Sequence, residues 1–276
     1  MQEIFGLRDR VALVWGGGQG MGEASALRLA EAGCHVAVID QVTDRAERVA
    51  ARIRALGRRA VAISADVTSK VDVDRATAEA EAAVGPVDVM VNVIGMAGWV
   101  KLVDMDEAEW DRVLNLNLKG FFFAATASAR SMLAGGRKGA IVSVCSVSGL
   151  TSAPMHGHYG AAKAGMQNLI RTMACEWGPT IRVNGVAPGT TETARVTATP
   201  ERVEEARRNI AIGRMGKPDE IAKAVLFMAS ELGSYVNGHT LPVDGGWMAG
   251  ALMNWKADSF TPPPATNVSY EQTGEA

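Results

Sequence analysis

Neither sign of charge predominates in this sequence: 28 Lys and Arg stand against 30 Asp and Glu, a formal net charge of -2. A chain that is not basic lacks the electrostatic footprint of a nucleic-acid or anionic-membrane binder. No apolar run approaches the length of a bilayer span. The opening residues, MQEIFGLRDR, lack the apolar core of a signal peptide, so the mature chain is expected to begin near residue 1. Cysteine is scarce. Cys34, Cys145 and Cys175 are odd in number, far apart and set among apolar residues, which excludes a disulfide framework and a CxxC metal site. Buried, reduced thiols and a cytoplasmic location are expected. The nearest approach to a metal pattern is HGH, His156 to His158, and a zinc site needs more ligands than that, so no metal is expected.

Glycine, by contrast, is abundant, with 30 residues in 276. Five of the eight residues in WGGGQGMG, Trp15 to Gly22, are glycine. The stretch follows an apolar run. Such runs recur at 10–14, 35–39, 60–64, 88–92, 139–145 and 181–187, with TLPVDGG at 240–246 as a candidate last strand. They are short, rich in valine and isoleucine and nearly continuous in hydrophobicity, as strands buried on both faces are. Helical patterns separate them, roughly at 20–32, 43–56, 70–83, 106–133 and 158–177. This alternation predicts an α/β fold: one doubly wound, Rossmann-like domain with a parallel sheet of about seven strands and helices on both faces. The domain is expected over residues 1–256, with a polar, proline-containing tail at 257–276. The polar stretch from Thr190 to Gly213 reads as a long mobile loop, a lid.

The glycine loop lies between the first strand and the first helix, where free helix amides suit a pyrophosphate. Its spacing, Gly16-x-x-x-Gly20-x-Gly22, departs from the G-x-G-x-x-G fingerprint, and Gly17 and Gly18 read as additional freedom. Asp40 follows the second strand, where an acid accepts hydrogen bonds from the adenosine ribose and repels a 2'-phosphate. NAD(H) is therefore expected over NADP(H), with Arg45 the nearest basic residue. Farther on, Tyr159 and Lys163 in YGAAK stand one helical turn apart on one face. A cation beside a phenol favours the phenolate and makes the tyrosine a candidate acid or base, although Y-x-x-x-K alone fits a solvated helix face equally well.

Taken in order, these features resemble the short-chain dehydrogenase/reductase family over about residues 8–250. The resemblance rests on the glycine spacing, ADV (65–67), VNVIG (91–95), LNLNLKG (114–120), VCSVSG (144–149), YGAAK (159–163), RVNGVAPGTTET (182–193) and VNGHTLPVDGG (236–246). It implies a catalytic tetrad of Asn117, Ser146, Tyr159 and Lys163, with Ser146 chosen over Ser143 and Ser148 by its interval of thirteen residues to Tyr159. In it Ser146 polarises the substrate oxygen, Tyr159 moves the hydroxyl proton, Lys163 holds the nicotinamide ribose, and Asn117 fixes a water that links Lys163 to solvent. Cofactor contacts are implied at Gly16, Gly18, Gln19, Gly20, Met21, Gly22 and Asp40, then at Asp66, Val67, Asn92 and Gly95. At the nicotinamide end they fall on Tyr159, Lys163, Pro188, Gly189, Thr191 and Thr193. The family implies a homotetramer. Two departures stand out: Trp15 replaces a threonine that braces the loop, and Val93 and Ile94 replace an asparagine and an alanine. The Trp15 indole is expected to pack under the loop and brace it by bulk.

Substrate is expected over the carboxyl ends of the strands, against Met96, Trp99, Ser146, Ser148, Met155, His156 and Tyr159. The lining is mostly apolar, with no arginine placed to clamp a carboxylate, so the expected substrate is a bulky, uncharged secondary alcohol or ketone such as a steroid, terpenoid or aromatic alcohol. Two alternatives are a 3-oxoacyl-carrier-protein reductase, against which Asp40 argues, and a catalytically silent NAD-binding regulator, against which the intact tetrad argues.

Overall fold

The computed structural model describes residues 2–250; the stretch 257–276, expected as a tail, lies outside the described residues, as do residues 251–255 of the apolar segment 247–255. The valine- and isoleucine-rich runs form seven strands: β1 (Val11–Trp15), β2 (His35–Asp40), β3 (Ala60–Ser64), β4 (Val89–Asn92), β5 (Gly139–Val144), β6 (Ile181–Pro188) and β7 (Thr240–Val243). Their order is β3-β2-β1-β4-β5-β6-β7, and every neighbouring pair is parallel. Helices α1 (Gly20–Glu31), α2 (Thr43–Ala55), α3 (Lys70–Val84), α4 (Glu107–Leu114), α5 (Gly120–Ala134), α6 (Gly157–Trp177), α7 (Pro200–Asn209) and α8 (Pro218–Ala229) surround the sheet. Among the described residues no helix is long and apolar enough to cross a membrane.

Alternation along the strands divides the core into two layers. Val11, Leu13 and Trp15 of β1 pack with Val73 and Ala76 of α3, Phe121 and Ala124 of α5, and Met166 and Ile170 of α6. Ala12 and Val14 pack on the other face, with Leu29 of α1, Ile53 of α2 and Val225 of α8. Trp15 therefore lies across the sheet from α1, in the α3–α5 layer, and not as a prop beneath the loop that leads into α1. Its side chain is 0% exposed and its indole Nε1–H has no hydrogen-bond partner. The consequence is a core effect. Trp15→Thr is expected to cost about 3 kcal/mol or more and to lower Tm by roughly 6–12 °C. Trp15→Phe, which removes the orphan donor, should cost far less. Thermal melts of the two variants check this; a Tm for Trp15→Thr within about 2 °C of the parent protein would contradict it.

Two expectations change. The helix expected over 106–133 is interrupted by a π-turn, Asn115–Lys119, in which the Gly120 amide donates to the Asn115 carbonyl five residues back. The cause is local: the Asn117 side-chain amide donates to the Val113 carbonyl, the acceptor an unbroken helix would use for its own backbone. The expected lid loop contains α7, capped by Thr199 through the Arg202 amide, with Pro200 in its first turn. Ala206, Ile210 and Met215 form a small core there with Val196 and Trp247.

Candidate active site

β1 sits between β2 and β4, so the connections that leave its carboxyl end and that of β4 diverge and open a crevice. The glycine loop forms one wall. Gly16 and Gly17 amides donate to the Ile39 carbonyl, and the Gly18 amide donates to Asp40 Oδ2 at 3.0 Å. Helix α1 begins with Gln19 at its N-cap and no side-chain cap, which leaves first-turn amides free for an anion. Gly22 is obligatory by close approach, since a Cβ there would stand 1.9 Å from the Gly16 carbonyl oxygen. Gly17 and Gly18 are more than additional freedom: a Cβ on either would meet atoms at 2.9 Å or less, Val14 and Val38 in one case and Asp40 and Arg45 in the other. Asp40 also accepts from the Val42 amide at 3.0 Å, so its carboxylate is oriented by two backbone donors at the loop.

Farther along the crevice, Asp66 Oδ1 accepts from the amide and hydroxyl of Thr68, and the Asp66 amide donates to Asp72. Val67 is buried against Gly120. Asn92 is buried and its Nδ2 donates to Ser143 at 3.1 Å, tying β4 to β5, while its Oδ1 lacks a partner. Ser143 is thereby committed to the sheet.

The π-turn delivers Asn117 to the crevice floor. Besides Val113, its Nδ2 donates to the Met96 carbonyl at 3.0 Å, and its buried Oδ1 has no partner. Lys163, on α6, is 2% exposed, and its Nζ donates to the Val144 carbonyl at 3.0 Å. A Cβ on Gly95 would stand 2.8 Å from Asn117 Oδ1 and 2.9 Å from Lys163 Nζ, so the bare backbone at Gly95 is the space these two groups share. Lys163 Nζ lies 5.5 Å from the centre of the Tyr159 ring. The Ser146 hydroxyl hydrogen-bonds the Tyr159 side chain, and its oxygen accepts from the Ser148 amide at 3.1 Å. All four residues expected to form the tetrad thus meet at one place.

The electrostatics differ from the simple cation-and-phenol expectation. Burial pushes the Tyr159 phenol up to about 12, against the lowering effect of the Ser146 hydrogen bond. Burial likewise pulls the Lys163 ammonium down to about 8. In both groups desolvation is the largest cause of the shift.

At the far rim, β6 runs into Pro188 and Gly189, and Thr191 donates to the Gly189 carbonyl. The Thr193 hydroxyl accepts from the Arg195 and Val196 amides, closing a tight turn. The Thr193 γ-methyl would lie 3.8 Å from a Cβ on Gly20, which sets it across the crevice from the glycine loop. Met96, Trp99 and Met155 are largely exposed along the mouth. The histidines of HGH point to different partners: His156 to Ser148 and the Pro154 carbonyl, His158 to Glu109.

Several features escaped the sequence reading. Gln167 Nε2 donates to the Ser146 carbonyl at 3.2 Å and anchors that strand end. His158, 0% exposed beside Tyr159, pairs with Glu109, whose carboxyl the Arg112 guanidinium and His158 hold down at about 2. Arg195 corrects the expectation of a mouth without arginine: its Nη1 reaches across to the Gly95 carbonyl at 3.4 Å. Cys175 is exposed on α6, whereas Cys34 and Cys145 are buried. The contacts of Gln167, His158 and Arg195 join segments 21, 49 and 100 residues apart, and local spacing carries no signal for them.

The site fits a dinucleotide. The uncapped α1 amides suit its diphosphate, Asp40 its adenosine ribose, and the bare Gly95 backbone beside Asn117 Oδ1 and Lys163 Nζ a ribose with hydroxyls to share.

Residues 16–248 match a family model described as Enoyl-(Acyl carrier protein) reductase. The chain is 37% identical over 256 residues to 2-dehydro-3-deoxy-D-gluconate 5-dehydrogenase of Escherichia coli K12, spanning 89% of this chain and 98% of that one. It is 40% identical over 253 residues to cis-4-hydroxycyclohexanecarboxylate dehydrogenase of Sinomonas cyclohexanicum, spanning 90% of this chain and all of that one, 100%. Among solved structures it is similar to 7α-hydroxysteroid dehydrogenase complexed with NADH and 7-oxo glycochenodeoxycholic acid, with a TM-score of 0.83 and 34% identity over 87% of this chain and 94% of that one.

Proposed function

This chain belongs to the short-chain dehydrogenase/reductase family, and from that premise we propose that it is an NAD(H)-dependent oxidoreductase that interconverts a secondary alcohol and a ketone on a bulky, largely apolar skeleton. The observation that carries this is the meeting of Asn117, Ser146, Tyr159 and Lys163 around the bare Gly95 backbone. A silent dinucleotide-binding regulator has no use for all four. When bound, the nicotinamide supplies the acceptor or donor of hydride. The protein supplies the proton path and the polarisation. Ser146 donates a hydrogen bond to the substrate oxygen as charge develops there. Tyr159 takes the carbinol proton in oxidation and returns it in reduction. Lys163 and Asn117 hold the ribose side and connect Tyr159 to a proton route. Gly16 to Gly22, Asp40, Asp66, Val67, Asn92, Gly95 and Pro188 to Thr193 hold the dinucleotide. The exposed apolar side chains Trp110, Phe122 and Leu133 on α4 and α5 support association into a homotetramer, and the cytoplasm is the proposed location.

A panel of secondary alcohols assayed with NAD+ and with NADP+ tests this reading. Oxidation of hydrophobic members with kcat/KM at least tenfold higher for NAD+ is expected, because a carboxylate at Asp40 would repel a 2'-phosphate. Better use of NADP+ would remove the cofactor assignment, and dinucleotide binding without turnover across the panel would favour the regulator. A second reading has its own observation: Arg195 at the mouth suits a substrate that also carries a carboxylate, as the named substrates of the Escherichia and Sinomonas relatives do. The same panel decides it if it includes a hydroxy acid and its amide, the acid being preferred under this second reading.

A further inference from the structure

Beside the tetrad, Ser148, His156, Trp99 and Met155 form a second polar arrangement that proton transfer does not use. His156 Nδ1 lies 2.7 Å from the Pro154 carbonyl oxygen. A carbonyl can only accept, so Nδ1 carries the hydrogen and, in the neutral ring, Nε2 is an acceptor. Nε2 lies 3.2 Å from Ser148 Oγ, and with the ring neutral the Ser148 hydroxyl donates to it. The serine proton is thereby committed, and the serine oxygen keeps only lone pairs to offer. Ser148 follows Ser146 by two residues, and its amide donates to Ser146 Oγ. The His156 ring is 5.9 Å from the Tyr159 ring, centre to centre. The pair therefore stands beside Ser146 and Tyr159 of the tetrad.

Its placement is built. Met155 holds a left-handed φ of 67°, a conformation a non-glycine residue adopts at a cost of about 1–3 kcal/mol. In that conformation its carbonyl accepts from the Val100 amide at 2.7 Å. This fastens the segment that carries Trp99, which is 74% exposed and packs on His156 with ring centres 4.6 Å apart and planes tilted by 50°. A Cβ on Gly160 would meet Ala153 Cβ at 2.7 Å and the Ser148 carbonyl at 3.0 Å, so the bare residue after Tyr159 lets the serine turn seat on α6.

We infer that Ser148, with its proton held by His156, is a specificity-determining acceptor for a hydroxyl on the carbon next to the reacting carbinol, and that the substrate class is a vicinal diol and its α-hydroxyketone. The inference rests on the alcohol–ketone reading above. In the reaction the reacting carbinol gives its hydride to NAD+ and its hydroxyl proton to Tyr159; the neighbouring hydroxyl is unchanged and donates to Ser148 throughout. A lone alcohol leaves the Ser148 oxygen desolvated and unpaired, which disfavours it.

The test compares 1,2-cyclohexanediol with cyclohexanol as substrates under NAD+, by kcat/KM. In parallel, 2-hydroxycyclohexanone and cyclohexanone are compared as ligands, by quenching of tryptophan emission. The parent protein is expected to favour the hydroxylated member by about tenfold or more in both measurements. Ser148→Ala and His156→Phe, the latter keeping a ring against Trp99, are expected to bring both ratios to within about twofold of one. Ser148→Thr, which retains the hydroxyl, is expected to restore at least half of the preference on a logarithmic scale. Equal handling of the two members by the parent protein, or a preference that survives Ser148→Ala, overturns the inference and leaves the alcohol–ketone reading standing. Failure to oxidise either compound or any other secondary alcohol overturns both.

Discussion

Tyr159→Phe is expected to lower kcat for both oxidation and reduction by about 10²–10⁴-fold while the Kd for NADH stays within about twofold. The ring is retained, so the contact with the His156 ring and the packing beside Lys163 persist. Only the hydroxyl that exchanges the proton is removed. Stopped-flow or steady-state kinetics with fluorescence titration of NADH separate the two quantities. Turnover retained within a few-fold would take Tyr159 out of the mechanism, since no other described group bonded to Ser146 can both give and accept a proton at that place.

The pH dependence follows from the same group. Because burial holds the free protein's Tyr159 up at about 12, the phenol is protonated throughout the neutral range and serves directly as the acid for ketone reduction. Oxidation requires its conjugate base, whose fraction rises tenfold per pH unit below that value. Thus kcat/KM for oxidation should climb with pH from the acid side while that for reduction stays level until the range near 8, where Lys163 loses its proton. The parent protein and the phenylalanine variant measured side by side show whether the climb belongs to Tyr159.

Much of this site is legible in the sequence, and the reasons are physical. The strands are continuous apolar runs because the parallel sheet is covered on both faces, and a glycine run between strand and helix has few other uses. Alternation along β1 assigns Trp15 to the face of Val11 and Leu13, although it adjoins the glycine loop in sequence. The helix α7 went unseen because its face is mostly polar, yet Thr199, Pro200 and Glu201 are a complete start signal. Other features were beyond any local pattern. The π-turn depends on the Asn117 amide competing for the Val113 carbonyl, a choice fixed only when the Met96 carbonyl is beside it. The reach of Arg195 to Gly95 joins segments 100 residues apart. The direction of the Ser148 proton depends on a carbonyl at Pro154 that a strained turn presents to His156.

Lys163 yields the remaining large effect, and it runs in opposite directions for activity and stability. The side chain is 2% exposed, its Nζ donates one hydrogen bond, to Val144, and burial pulls its ammonium down to about 8. The unfolded chain binds that proton more tightly, so between about pH 8 and 10 the unfolded state holds the extra proton and stability rises with pH; below about 8 the full cost of the buried cation is present. At neutral pH that cost is on the order of 3 kcal/mol. Lys163→Met fills a similar volume without the charge. It is expected to abolish turnover, by about 10³-fold or more given the loss of both ribose contact and proton route, and yet to raise the Tm of the dinucleotide-free protein by several degrees at pH 7. The gain should shrink as the pH is raised from 7 toward 10, because the parent protein sheds the penalty when Lys163 deprotonates. Melts across that pH range, with no dinucleotide added, check the sign. A Tm that falls on substitution would mean that the ammonium contributes more through its neighbours than burial takes away. In that case the lysine would be a structural cation, and not a charge the fold holds at a cost for its part in the reaction.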